Sequence, residues 1–305
     1  MSSKMKGVLC ALFANIIFGF SYLFSKTALA VASPIVLVAS RFLLATLIMS
    51  TLVLTGAVKV SFKGKGKYLR ELLLLALFQP ILYFIFETYG LSMCSTIFSS
   101  ITFAFMPLMS VLFAFIILKE RPTGLQLVFC GVALIAVIGM AFLEQNGGQL
   151  SILGALLMIG ARFCAVGFNI MSRKLSGVFT AFERTYAMMG LATVVFIIMA
   201  LVMNIKTPEA LILPFTDTGY VVSVLYLGGL SSILAFLLTN MANNHLTLAS
   251  ATAFSNIITV VSVLSGIVIL KEAYPPVPTA LLCLCVIAGV WGVQRFAPQP
   301  NKKGL

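Results

Sequence analysis

Glu87 sits inside a long apolar run, where an ionised carboxylate has no water around it. An ionisable group in such a place marks a path for substrate or ion, because hydrocarbon makes it expensive to keep. Gln79, Tyr83 and Gly90 share its helical face at i, i+4, i+8 and i+11 spacing. That stripe predicts a polar and aromatic surface turned toward a central cavity. Two roles compete for Glu87: a proton-carrying or substrate-contacting carboxylate, or a permanent partner for an arginine. Arg41 would be that arginine, since it lies roughly 10 Å below the same membrane face and Glu87 roughly 6 Å, at about 1.5 Å of rise per residue.

Arg162 falls halfway along another apolar run, on a stripe with Met158, Ala165 and Asn169. Its guanidinium offers a rigid fork of donors that suits a carboxylate or phosphate. The plainer role is snorkelling or capping of carbonyls between helices. Asn15, Gly19 and Tyr22 line one face near the N-terminus, and Thr252, Ser255, Asn256, Thr259 and Ser262 line another near the C-terminus. Small and hydroxylated residues in spans mostly serve close helix packing. Asn15 and Asn256 are set apart because an amide both donates and accepts, which fits a polar metabolite. Tyr22 is kept with Asn15 on its stripe. Among the aromatics Tyr83, Phe84, Phe86 and Tyr89, some must point to lipid, and Tyr83, one turn before Glu87, is the best placed to stack on a flat or cationic group.

The elements that must carry these side chains are membrane-spanning. Of 305 residues 61% are hydrophobic and 9% charged, with a mean hydropathy of +1.11, where a soluble domain has roughly 25% charged residues. Apolar windows fall at about Gly7–Leu29, Pro34–Gly56, Glu71–Leu91, Thr96–Leu118 and Thr123–Leu143, then Ile152–Met171, Glu183–Met203, Gly219–Met241, Leu248–Leu270 and Val277–Phe296. Each is near the roughly 20 residues that a crossing needs. The expectation is an all-α integral membrane protein of ten transmembrane helices. The first run is too long for a signal peptide and is read as an uncleaved first span.

The formal charge of +12 does not signal nucleic acid, because the basic residues sit at the ends of apolar runs. With an inside N-terminus, Lys4, Lys6, Lys59, Lys63, Lys65, Lys67, Arg70, Lys119, Arg121, Arg173, Lys174, Arg184, Arg295, Lys302 and Lys303 all reach the cytoplasmic side, while Lys26, Arg41, Lys206 and Lys271 fall toward the outside. Such asymmetry places both termini in the cytoplasm and the chain in a cytoplasmic, inner membrane. The six cysteines lie in apolar stretches, so no disulfide framework is expected. No His/Cys cluster has metal-ligand spacing, no GxxxxGK[ST] loop exists for a nucleotide, and no cofactor is implied.

The chain also repeats itself. Ile117-Leu118-Lys119-Glu120 returns as Ile269-Leu270-Lys271-Glu272, and Leu134-Ile135-Ala136-Val137-Ile138-Gly139 is echoed by Leu284-Cys285-Val286-Ile287-Ala288-Gly289. Five spans per copy is an odd number, so the second copy enters the membrane from the opposite side. Two inverted five-helix repeats follow, residues 1–146 and 147–305, an arrangement suited to alternating access around one central site. The Lys-Glu pairs beside Pro122 and Pro275 read as structural caps and membrane anchors.

Ile17-Phe18-Gly19-Phe20-Ser21 with Lys26 after it, Arg41-Phe42-Leu43-Leu44-Ala45, Gly90-Leu91, Pro107 and then Leu118-Lys119-Glu120-Arg121 resemble the drug/metabolite transporter superfamily, in its ten-helix form built from two EamA-type repeats. Ser255-Asn256-Ile257-Ile258 and Lys271-Glu272 carry the likeness into the second half. Thr259 stands where that family usually has proline, and the sixth span lacks a clear copy of the opening motif. The resemblance implies a secondary transporter and not an enzyme. The residues add that protons through Glu87, or exchange, would drive it, and that charges of both signs in the spans beside aromatics favour export of a small zwitterion such as an amino acid. Efflux of hydrophobic or aromatic cations on Glu87 and Tyr83, with Arg162 structural, is the alternative. An intramembrane enzyme or non-transporting scaffold is a distant third, since no Ser/His or paired-acid constellation is visible. The expected partners are a small-molecule substrate and the lipid bilayer; no feature sets an oligomeric state, and a monomer is compatible with all of this.

Overall fold

Inside hydrocarbon each backbone N–H and C=O must find its partner within its own segment, which a helix provides. The computed structural model describes residues 3–104, 106, 109, 123–146, 151–246, 254–272 and 275–296, and their regular structure is helical, without a strand. In chain order these are α1 (Ser3–Leu29) and α2 (Pro34–Leu54), α3 (Gly66–Met93), α4 (Thr96–Ile101) and α5 (Gly124–Asn146). The second half contributes α6 (Ile152–Leu175), α7 (Ala181–Met203), α8 (Thr218–His245), α9 (Ser255–Val268) and α10 (Pro276–Arg295).

Helices α1, α2, α3, α6, α7 and α8 are long and apolar enough to cross a membrane, and Gly124–Met140, Ile257–Val268 and Val277–Gly289 are shorter apolar helices. Most of the expected span Thr96–Leu118, with Pro107, Lys119, Glu120 and Arg121, lies outside the described residues, as does Thr252. Large apolar side chains such as Leu54, Ile135, Leu153 and Val202 point outward, where lipid is the solvent that accepts them.

Contacts across the chain halves fix the directions of the helices. In α2 and α7, Phe42 stacks on Phe196, Thr46 bonds Thr193 and Ser50 bonds Tyr186, so rising numbers meet falling ones. The same antiparallel register joins α1 to α8, through Gly7 against Leu246 and Ser21 against Ser231. It joins α3 to α6 as well, through Gly90 against Met158 and Phe78 against Gly167. Because short links connect α1 to α2 and α6 to α7, α1 runs opposite to α6.

Two helices lose their α-helical regularity near mid-length. In α3 the segment Leu77–Leu82 is π-helical, with Pro80 inside and Gln79 extended at φ −150, ψ 122. In α8 the π-helical segment is Tyr226–Ala235, which carries Gly228 and Gly229. Proline removes a donor and glycine removes side-chain support, so both sequences invite the break. Gln79 and Ser231 are 152 positions apart (231 − 79), as are Lys119 and Lys271 (271 − 119).

Two glutamates fasten the ends. Glu183 makes a capping box with Thr180 at the start of α7 and also accepts from Ser61 N at 2.9 Å and Lys65 Nζ at 2.7 Å. Glu272 accepts from Thr96 N at 2.8 Å and Ile97 N at 3.1 Å, capping α4 from the other half of the chain. The expected capping role thus holds for Glu272, on a helix distant in sequence.

Candidate functional site

A partly open cavity of about 90 Å³ lies between α1, α2, α3, α6, α8 and α9, and Glu87 is on its wall. The carboxylate is fixed through one oxygen. Tyr22 OH donates to Glu87 Oε1 at 2.7 Å, Tyr83 OH donates to the same oxygen over a shorter distance, and Arg162 Nη2 approaches it at 3.3 Å. The other oxygen, Oε2, makes no hydrogen bond among the described residues, and the side chain keeps 13% of its surface exposed. One oxygen is therefore saturated and the other faces the cavity.

Arg162 is completely buried behind this wall. Its Nη2 donates to Tyr22 OH at 2.6 Å, Nη1 to Tyr83 OH at 2.8 Å and Nε to Thr102 Oγ1 at 3.1 Å, while the Phe103 ring lies 3.8 Å from its central carbon. Each guanidinium nitrogen has a protein partner, so Arg162 holds the two tyrosines and the carboxylate in place. Glu87 is consequently paired, but with Arg162, whereas the sequence had offered Arg41.

Arg41 lines the cavity instead. Its Nε donates to Ser232 Oγ at 3.1 Å, its Nη2 to Ser231 Oγ at 3.0 Å and more weakly to Leu227 O at 3.4 Å, and its head lies 4.4 Å over the Phe84 ring. The acceptors all belong to the π-helical segment of α8, where displaced backbone and two adjacent serines supply them. No carboxylate lies within ion-pair distance of Arg41 among the described residues.

The other sequence candidates divide between cavity and packing. Asn15, Tyr22, Tyr83 and Asn169 line the cavity with Glu87, as do Gln79, Ala165 and Ser255. Gly90, expected on the same stripe, packs against α6: a Cβ there would meet Met158 Sδ at 2.8 Å and Gly154 O at 3.1 Å. Beyond Glu87 the cavity-lining stripe continues through Leu91, one turn on, which leaves Gly90 on the face toward α6. Gly19 likewise serves close packing, its carbonyl accepting from Ser262 Oγ at 2.8 Å, and Thr259 bonds Ser100 O at 3.1 Å. The backbone of Asn256 is in α9, but its side chain lies outside the described residues.

A second polar cluster closes the end of the cavity nearer the N-terminus. Asn243, on the wall, donates to Asn169 Oδ1 at 3.1 Å and to Ser172 Oγ at 3.3 Å. Behind them lies Arg184, fully buried, donating to Ser172 O, to Asn240 O at 3.0 Å and to Asn244 Oδ1 at 2.5 Å. Sequence reasoning had placed Arg184 among the flanking cytoplasmic charges. The run Asn240-Met241-Ala242-Asn243-Asn244, with three amides at i, i+3 and i+4, was the available signal for a polar face.

Comparison with known proteins agrees with this geometry. The EamA-like transporter family matches residues 5–142 and again 152–294. The chain is 33% identical over 290 residues to the Uncharacterized transporter YcxC of Bacillus subtilis (strain 168), covering 93% of this chain and 91% of that one. It is 30% identical over 164 residues to the Uncharacterized transporter YvbV of the same organism, covering 52% and 50%. A solved structure titled only "Crystal structure of protein" superposes with a TM-score of 0.64 at 17% identity, over 96% of this chain and 99% of that one, and shows the fold alone.

Proposed function

Since the chain belongs to the EamA-like transporter family, we propose that it is a secondary active exporter of a small zwitterionic metabolite such as an amino acid, built as two inverted five-helix repeats, residues 1–146 and 147–305, with ten crossings. The opposed directions of α1 and α6 support the inversion. The described basic residues Lys59, Lys63, Lys65, Lys67, Arg70, Arg173 and Lys174 gather at the end that holds the N-terminus, which supports cytoplasmic termini in an inner membrane.

The observation that carries the reading is Glu87, a membrane carboxylate with one oxygen saturated and the other facing a polar cavity. A proton or a substrate ammonium reaching Oε2 changes the charge balance around Arg162 without unmaking its bonds to Tyr22, Tyr83 and Thr102. Substrate and coupling proton thus compete for one oxygen, the simplest basis for exchange between them. Asn15, Asn169, Tyr22 and Tyr83 contact the substrate, Asn256 joins them from α9, and Arg162 acts by positioning.

Glu87→Gln in proteoliposomes under an imposed pH gradient is the test. Amino-acid flux should lose its dependence on the gradient while the protein remains folded; gradient-driven flux at the wild-type rate overturns the reading. A second reading, efflux of aromatic cations, is favoured by the ring of Phe18, Phe84, Phe168 and Phe236 on the cavity wall. Binding of a quaternary aromatic cation, but of no amino acid, would select it.

A further inference from the structure

Resting on the zwitterion reading above, we propose that Arg41 is the carboxylate anchor of the substrate and that, with the aromatic wall beside it, it selects α-amino acids with apolar side chains. Arg162 was the guanidinium that the sequence offered for this task, but all its nitrogens are bound to protein and none lines the cavity. Arg41 differs on each count. It lines the cavity, two of its nitrogens are held by Ser231, Ser232 and Leu227, and its Nη1 makes no hydrogen bond among the described residues. A cation 2% exposed, without a carboxylate partner among the described residues and with one donor nitrogen open, is a site for an anionic group.

Arg41 of α2 and Glu87 of α3 line the same cavity. The Arg41 guanidinium lies 4.4 Å over the Phe84 ring, and Phe84 is three residues before Glu87 on the same helix, so Phe84 and Glu87 are neighbours on one face beside it. An α-amino acid can therefore give its carboxylate to Arg41 and its ammonium to Glu87 Oε2 at once. Gln79, 8% exposed and without a hydrogen bond among the described residues, lines the same cavity and offers an amide to either group.

The side chain then meets rings. Phe236 packs edge-on against Phe18 at 5.4 Å and Phe168 at 5.9 Å, and lies 6.3 Å from Phe84. An apolar or aromatic substituent is stabilised there by burial, whereas a charged one finds no counter-ion on that wall.

Purified protein in detergent should be titrated with L-phenylalanine and L-leucine, and with phenethylamine and isopentylamine as analogues lacking the carboxylate, following thermal stabilisation. The amino acids should bind wild type, and Arg41→Gln should weaken them by about 10- to 100-fold, the value of one charge-assisted hydrogen bond. Arg41→Lys should recover part of that loss, and neither variant should weaken the binding of the amines. Amines binding as tightly as amino acids, or Arg41→Gln and Arg41→Lys both binding amino acids like wild type, would overturn the assignment, as would no amino acid binding at all. The melting temperature without ligand separates misfolding from lost affinity, and Arg41→Lys retains the cation if Arg41→Gln fails to fold. Binding at equilibrium is independent of proton coupling, so loss of gradient-driven flux with intact Arg41-dependent binding would count against the exporter mechanism and leave this assignment standing.

Discussion

Arg162 and Glu87 come within 3.3 Å of each other at the centre of the helical bundle, and Tyr22 and Tyr83 bridge them by bonding to both. The pair is shared between α3 and α6, and α1 supplies one bridge, so a single polar knot joins the two halves of the chain. Removing one partner of a buried ion pair strands the other. Arg162→Leu should therefore destabilise the protein by about 3–5 kcal/mol, and Glu87→Gln in the same background should return a part of it. Chemical denaturation of the single and double variants measures this; full additivity would mean that the pair has no energetic coupling.

The two tyrosines should differ from a third. Tyr83→Phe removes a donor to Glu87 and an acceptor from Arg162, leaving buried charge short of a partner at a cost of about 1–3 kcal/mol. Tyr89→Phe, whose hydroxyl among the described residues meets only Met203 Sδ at 4.0 Å, should fall within about 0.5 kcal/mol of wild type. Equal melting of the two variants would remove the bridging hydroxyl from the account.

Which parts of this site the sequence displays follows from period and solvent. An apolar helix in lipid shows its few polar residues against a uniform background, so Glu87, Arg162, Tyr83, Asn15 and Asn169 stand out. Partners are harder to read. Depth offered Arg41 for Glu87, whereas the partner is Arg162, which reads in the sequence as a substrate anchor and is joined to Glu87 through Tyr22 and Tyr83. Gly90 leaves the expected stripe because the cavity face of the regular helix after Glu87 runs through Leu91. Arg184 reads as a flanking charge because it is four residues inside α7, and only the packing of Asn240 and Ser172 against it reveals burial.

Glu183 ties the lysine-rich stretch between α2 and α3 to the start of α7. Its side chain closes the capping box with Thr180 and accepts from Ser61 N and Lys65 Nζ. Glu183→Ala should cost about 1–3 kcal/mol, more than an ordinary cap because three acceptor bonds go at once. Hydrogen exchange should report it locally, with amides around Ser61 and Thr180 exchanging faster. Unchanged protection at Ser61 would show that the loop is held by something else.

The link between α3 and α4 is gripped from two directions. Lys26 of α1 donates from its Nζ to Leu91 O at 3.1 Å and Cys94 O at 2.5 Å, while Glu272 accepts from the Thr96 and Ile97 amides. A cation meets the carbonyl end of one helix and an anion meets the amide end of the next, so both interactions follow the helix dipoles. Glu272→Ala leaves two amides of the first turn of α4 without acceptors, which should cost about 0.5–2 kcal/mol. The loss should be local, because α4 is held elsewhere by apolar packing of Ile97 and Ile101. Cys94, 1% exposed, lies between the two grips and serves as the reporter. Maleimide labelling at Cys94, resolved from the other thiols by peptide mass spectrometry, should be several-fold faster in Glu272→Ala and in Lys26→Met than in wild type. If Cys94 stays as protected in both variants, the two charged grips do not hold the link closed, and packing alone keeps this end of the bundle shut.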